Sequence, residues 1–259
     1  MITQEEKAAA FRALHEGEPF VIPNPWDAGS ARVLEALGFR ALATTSSGFA
    51  FTLGRLDGTA TLEEVVSHVW ALVAATSLPV SVDLENGYDD PARAISLVAE
   101  AGAVGGSIED YDPDGSLYPV DVAVERVAAA VEAARGLGFP FMVTARAENH
   151  IRGNPDLDDT IARLQAYERI GADVLYAPGL AGVDEIRAVC SAVSRPVNVL
   201  ARPNLSASDI AGAGARRISV GGALAWAAVG GFVAAAERIR DAGDFSGLGS
   251  PARLREWLG

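Results

Sequence analysis

The feature that most constrains this chain is a repeat of pattern rather than of residues. Eight short runs rich in apolar and β-branched residues alternate with longer segments whose apolar residues recur at helical spacing. The runs are 19–24 (PFVIPN), 41–46 (ALATTS), 79–85 (PVSVDLE), 105–110 (GGSIED), 141–147 (FMVTARA), 173–178 (DVLYAP), 196–201 (PVNVLA) and 217–222 (RISVGG). Their starts lie 21 to 38 residues apart, enough for a helical crossover, so successive strands should run parallel. Segments such as SARVLEALG, EEVVSHVWALVAAT and VERVAAAVEAARGLG supply the crossovers, and several end in glycine, as helix C-termini prefer. Eight such units within 259 residues predict a closed (β/α)8 TIM barrel. No linker, low-complexity stretch or composition break interrupts the pattern, so residues 1–259 are expected to be one domain. An open doubly wound sheet is the less economical fold, because the first loop, PNPWDAGSA, has one glycine and lacks a dinucleotide fingerprint.

Composition narrows the function classes. With 34 acidic against 21 basic residues, and the basic ones scattered, the chain carries a net charge of −13 that would repel a phosphate backbone. Nucleic acid is not an expected partner. No apolar run reaches the roughly 18–20 residues that cross a bilayer, and the opening MITQEEKAAAF is charged and helical in character. A cytoplasmic location with no membrane partner is therefore expected. The single cysteine, Cys190, lies in the helical segment EIRAVCSAV and reads as packing, not as a disulfide or zinc ligand. His15 and His68 fall within helical segments, while His150 follows the fifth strand.

In a closed barrel the chemistry sits at the C-terminal ends of the strands, so the polar residues that follow each apolar run are the ones to weigh. The third run ends with Asp83 and Glu85, which at a spacing of two should project to one side. The fourth ends with Glu109 and Asp110, the fifth with Arg146 and Glu148, and the loop after the second carries Asp57. Carboxylates converging on one mouth repel one another unless a cation lies among them, and hard oxygen donors suit Mg²⁺, with Mn²⁺ as the alternative. Arg146 is suited to clamp a substrate carboxylate with two prongs. The second run continues into Thr44, Thr45, Ser46, Ser47 and Gly48, a small polar turn able to present N–H groups and hydroxyls to an oxyanion.

Taken together, PNPWDAGSARVLEALGF, ATTSSGFAFTLGRLDG, PVSVDLENGYDD, SIEDYDP and TARAENHIRG resemble, in order and over nearly the whole chain, the isocitrate lyase and phosphoenolpyruvate mutase superfamily. The most specific elements are Asp83, Glu85, Gly87 and Tyr88, matching a D-x-D/E-x-G-Y segment, and the strand-ending Glu109 and Asp110. The resemblance implies that Asp83 ligates Mg²⁺, and that Asp57, Glu85 and Glu109 ligate it or hold its waters. It implies that Thr45, Ser46, Ser47 and Arg146, together with Trp26, bind a 2-oxo acid. It also implies a homo-oligomer, a tetramer or dimer, with C-terminal helices exchanged between subunits, and the strongly apolar ALAWAAVGGFVAAAERI agrees with an interface.

Two departures shape the expected reaction. Isocitrate and methylisocitrate lyases carry a K-[KR]-C-G-H type lid after the fourth strand, whereas residues 111–121 here read YDPDGSLYPVD, with no Cys, Lys or His. The mutase has a histidine where the sixth strand ends, and this chain has Pro178. The nearest resemblance is to phosphonomutase-like proteins. The resulting expectation is a Mg²⁺-dependent lyase cleaving or decarboxylating a small 2-oxo or 2-hydroxy dicarboxylate through an enolate. Arg146, Glu109 and the lid residue Tyr118 are its catalytic candidates. Phosphonopyruvate or phosphoenolpyruvate chemistry, with Arg152 and Arg202 as extra cations, is the alternative, and a non-catalytic 2-oxo-acid binder is the third class.

Overall fold

A computed structural model describes residues 2–249 and 253–258. All eight runs form strands: β1 (Phe20–Ile22), β2 (Leu42–Ala43), β3 (Val80–Asp83), β4 (Gly105–Glu109), β5 (Met142–Arg146), β6 (Val174–Tyr176), β7 (Val197–Leu200) and β8 (Arg217–Ser219). They pair in parallel in the order β1-β8-β7-β6-β5-β4-β3-β2. At the remaining seam Ala43 N–H donates to the Pro23 carbonyl at 3.1 Å, and Asn24 Nδ2 donates to the Thr44 carbonyl at 3.0 Å. The sheet is thus a nearly closed single-domain (β/α)8 barrel. Each strand is shorter than the run that predicts it, and Asp83, Glu109 and Arg146 are the last residues of β3, β4 and β5.

The helices are α1 (Gln4–Glu16), α2 (Ala28–Ala36), α3 (Ser46–Thr52), α4 (Leu62–Ala75), α5 (Pro91–Glu100), α6 (Val120–Arg135), α7 (Leu157–Arg169), α8 (Val183–Ala192), α9 (Ala207–Gly212), α10 (Ala223–Ala242) and α11 (Leu254–Leu258). Their starts follow from side-chain caps. Asp27 accepts from Ser30 N–H at the head of α2, Thr61 from Glu64 N–H at α4, and Asp90 from Arg93 N–H ahead of Pro91 at α5.

Strand alternation divides the molecule into two interiors. Outward residues such as Val82, Ile108, Val143, Leu175, Val199 and Ile218 pack against the helices in the main apolar core. The inward set is polar for most of its height: Ser81 and Asp83, Ser107 and Glu109, Thr144 and Arg146, Tyr176, Asn198, and Arg217 and Ser219. Barrel interiors are more often filled with bulky branched residues; here small hydroxyls leave space below the mouth. The N-terminal end is closed by α1, whose fully buried Phe11 joins Phe20, Ile22, Ala41, Val104, Met142 and Val174. Gln4 Nε2 fastens the helix to the Ala99 and Ala103 carbonyls at 2.7 and 2.8 Å.

Along the 20 residues of α10 only Ala225 is buried, and Leu224, Trp226, Phe232 and Val233 are exposed. The final helix α11 lies against α2, where Arg32 Nη1 donates to the Leu258 carbonyl at 2.8 Å. Among the described residues no helix is long and apolar enough to cross a membrane. Cys190 sits half-buried in α8 beside Gly214, and burial pushes its thiol up to about 11, so it is no nucleophile near neutral pH.

Candidate active site

A cavity of about 210 Å³ opens at the C-terminal end of the barrel, and Thr45, Ser46, Ser47, Asp57, Asp83, Glu109 and Arg146 all line it. Asp83 ends β3 facing inward. Its Oδ2 accepts from Ser46 N–H at 3.2 Å and its Oδ1 from Ser107 Oγ at 3.3 Å and Arg146 Nη1 at 3.0 Å. Arg146 Nη1 also lies 2.9 Å from Glu109 Oε1, and Nε donates to Glu148 Oε1 at 2.8 Å. The guanidinium sits 5.0 Å from the Tyr176 ring centroid. Three carboxylates thus occupy Nε and Nη1, and among the described residues only Nη2 has no carboxylate partner, which leaves less of the guanidinium for the two-pronged clamp expected of Arg146.

Backbone conformation decides three other placements. The polar turn after β2 is the start of α3, where Thr45 is the N-cap and accepts from Gly48 N–H at 3.4 Å. A Cβ on Gly48 would come within 2.7 Å of Thr45 Cγ2 and 2.9 Å of Trp26 Cβ, so a glycine lets this turn pack closely. Asp83 and Glu85 do not share a strand face, because β3 stops at Asp83 and Glu85 has a positive φ of 50°. Glu85 instead faces an adjoining pocket shared with Ser46, Asp57, Glu109, Tyr111 and Arg152. Asp110 also leaves the mouth, since Glu109 faces inward and the next residue must face out. It is buried against α7, where it accepts from Tyr167 Oη at 2.6 Å, Arg163 Nη1 at 3.1 Å and Glu148 N–H at 2.8 Å.

Tyr118 and Trp26 do not reach the cavity. The Tyr118 hydroxyl accepts from Asn86 Nδ2 at 3.0 Å, with Arg126 over its ring, in a groove outside the mouth. Trp26 is half-buried behind α3. The lid segment folds as a small turn bridged between Tyr111 and Leu117. Arg152 packs 3.7 Å over Tyr111 and lies 3.2 Å from Glu109 Oε2, whereas Arg202 donates to the Gly179 and Leu180 carbonyls instead. Asn24, Ser81, Ser107, Tyr176, Asn198, Arg217 and Ser219 line the cavity without having been singled out from sequence. Their signal was a polar residue at every second position of otherwise apolar strands.

The charge balance tests whether a divalent cation fits. Burial, and then the neighbouring Asp83 and Asp57 charges, push the Glu85 carboxyl up to about 7, and its buried Oε1 has no hydrogen-bond partner among the described residues. Burial also raises Glu109 above the usual carboxylate range, against the pull of Arg146. Such a crowd is under-neutralised and would be relieved by a cation. Among the described residues no three Asp, Glu, His or Cys side chains gather closely enough to cage an ion directly. That arrangement still suits Mg²⁺, which keeps several waters and takes only one or two carboxylates.

Barrel, mouth charges and small-residue turn together make a carboxylate-lined cavity at the C-terminal end of a (β/α)8 barrel. A sequence model described as phosphoenolpyruvate phosphomutase matches residues 11–240, and the chain belongs to that family. A Burkholderia cenocepacia J2315 protein, provisionally named a lyase/mutase, is 53% identical, with a TM-score of 0.94 over 98% of this chain and 96% of the other. Oxaloacetate decarboxylase of Bradyrhizobium sp. (strain BTAi1) is 30% identical over 229 residues, 85% of this chain and 79% of that one. The structure of 2,3-dimethylmalate lyase, a PEP mutase/isocitrate lyase superfamily member, is 28% identical with a TM-score of 0.87, covering 100% of this chain and 96% of its own.

Proposed function

We propose that the protein is a Mg²⁺-dependent enzyme that cleaves or decarboxylates a small 2-oxo or 2-hydroxy dicarboxylate through an enolate. The observation that carries this reading is Asp83, an inward strand-end carboxylate fixed by Ser46 N–H and Arg146 at the centre of an acidic cavity. Relatives named oxaloacetate decarboxylase and 2,3-dimethylmalate lyase act on acids of this class. Mg²⁺, or Mn²⁺, when bound would supply Lewis-acid stabilisation of the enolate oxygen, with Asp83 as direct ligand and Asp57, Glu85 and Glu109 acting directly or through its waters.

The chain's own groups would do the rest. Arg146 Nη2 and the Ser46 and Ser47 hydroxyls would orient the 2-oxo-acid end, and Thr45 would hold the α3 turn in place. Arg152 and Tyr111 would exclude water when the 111–121 segment closes. With no Cys, Lys or His in that segment, an enolate is protonated most simply from solvent, which favours decarboxylation or cleavage with a stable enolate product. Of the two extra cations that phosphoryl chemistry would draw on, Arg152 lines the cavity and Arg202 is held elsewhere by two carbonyls. Incubating the protein with Mg²⁺ and, separately, oxaloacetate, 2-methylisocitrate, dimethylmalate and phosphonopyruvate tests the reading. Turnover of one of the first three supports it, turnover of phosphonopyruvate alone replaces it with the mutase or hydrolase reading, and tight binding without any turnover makes the protein a 2-oxo-acid binder.

A further inference from the structure

Below the carboxylates, the cavity continues past Tyr176, Asn198 and Ser219 to Arg217. Arg217 is only 5% exposed, and among the described residues it has no carboxylate partner. Its contacts are neutral: Nε donates to Asn198 Oδ1 at 2.9 Å, Nη2 to Thr144 Oγ1 at 3.0 Å, and Nη1 lies 3.4 Å from His15 Nε2. Burial lowers its pKa to about 10, so it remains charged at neutral pH. A buried cation without a counter-ion is costly, and the other buried arginines here avoid that cost, Arg163 through Asp110 and Asp159 and Arg146 through three carboxylates. Three contacts leave two of the five guanidinium N–H groups for another acceptor.

From this contrast we infer that Arg217 is a specificity-determining residue that receives the second carboxylate of the substrate, with Ser219 beside it. This deepens the proposed function and rests on it: one end of a dicarboxylate is held at the mouth by Arg146 and the metal site, and the other reaches down the polar interior to the unneutralised guanidinium. The polar inward positions of β7 and β8 then have a reason. Asn198 holds Arg217 Nε and also donates to Ser219 Oγ at 2.9 Å, which presets both groups for a planar, two-pronged acceptor.

The test is calorimetric, with Mg²⁺ present, using malate and 2-hydroxybutyrate, which differ by a carboxylate in place of a methyl group. Wild type should bind malate at least tenfold more tightly than 2-hydroxybutyrate. In Arg217→Met malate should fall to within about threefold of 2-hydroxybutyrate, whose own affinity stays unchanged. Should the methionine variant not fold, Arg217→Lys keeps the charge but not the fork and should lose affinity for malate only. A folded variant that keeps the wild-type preference, or that weakens both ligands equally, overturns the assignment of Arg217 alone. Failure of wild type to bind either acid overturns the proposed function and this inference with it.

Discussion

The two ends of the barrel are built from the same strands and the same alternation, yet they hold opposite contents. At the N-terminal end the inward residues Phe20, Ile22, Met142 and Val174 meet Phe11 of α1 in an apolar plug, with Arg217 at the level of Phe20 as the one inward charge described there. At the C-terminal end the inward residues are Asp83, Glu109 and Arg146, with Glu85 just beyond, and two of these carboxyls titrate above their usual range. Stability is thus concentrated where apolar surface is buried, and the mouth tolerates charge repulsion that opposes folding. A ligand or cation that relieves this repulsion gains affinity from it.

That division can be broken most strongly from below. Phe11→Ala should lower unfolding stability by about 3–5 kcal/mol and leave ligand affinity of the folded protein within about twofold of wild type, read by urea denaturation and calorimetry. Affinity falling in step with stability would show that the two ends are not separable. The helical belt offers a second contrast, since α10 buries one residue where the other long helices bury a stripe. We expect the exposed Leu224, Trp226, Phe232 and Val233 to be covered by another copy of the chain. Light scattering at micromolar concentration should then return at least twice the 26.9 kDa of one chain, and Phe232→Glu should lower that mass. A wild-type mass of one chain would contradict it.

A smaller effect comes from His15, buried between Phe11 and Phe20 and beside Arg217. Burial first, and then Arg217, hold its pKa down to about 3. The unfolded chain therefore takes up a proton near pH 6.5 that the folded chain refuses, and stability falls as the pH drops from 6.5 toward 3. From this group alone the slope is at most about 1.4 kcal/mol per pH unit. His15→Gln should flatten that acid limb, and an unchanged slope between pH 4 and 6 would show that the imidazole is not the source. Smallest of all, Cys190→Ser should cost about 1 kcal/mol or less and leave turnover within tenfold, because α8 keeps the thiol away from both ends.

The same contrast separates what could be read in the sequence from what could not. The eight strands and their crossovers were legible because period and spacing are local properties, and Asp83, Glu109 and Arg146 at the mouth follow from strand ends alone. Glu85 was misplaced because a left-handed backbone at a non-glycine residue leaves no mark in an apolar run that continues to Leu84. The position of Tyr118 outside the cavity was not legible because loop direction depends on a distant partner, Asn86. Arg146 looked free because its neutralisation by Glu148, two residues away, needs the bend after β5 to be known. Arg217 opens an apolar run at its first residue, where sequence alone reads a strand boundary and the structure puts a buried cation.

The central claim is that Asp83 holds a divalent cation that in turn holds the 2-oxo acid. Asp83→Asn preserves size and the Ser46 N–H contact while removing the charge, so a folding defect should not obscure the outcome. Oxalate or 2-oxoglutarate titrated calorimetrically into wild type should bind only when Mg²⁺ is present, and should bind the variant in neither condition. Binding that needs no metal and survives in Asp83→Asn would mean that Arg146 and the Thr45–Ser47 turn hold the acid unaided, and the metal-centred account would be wrong.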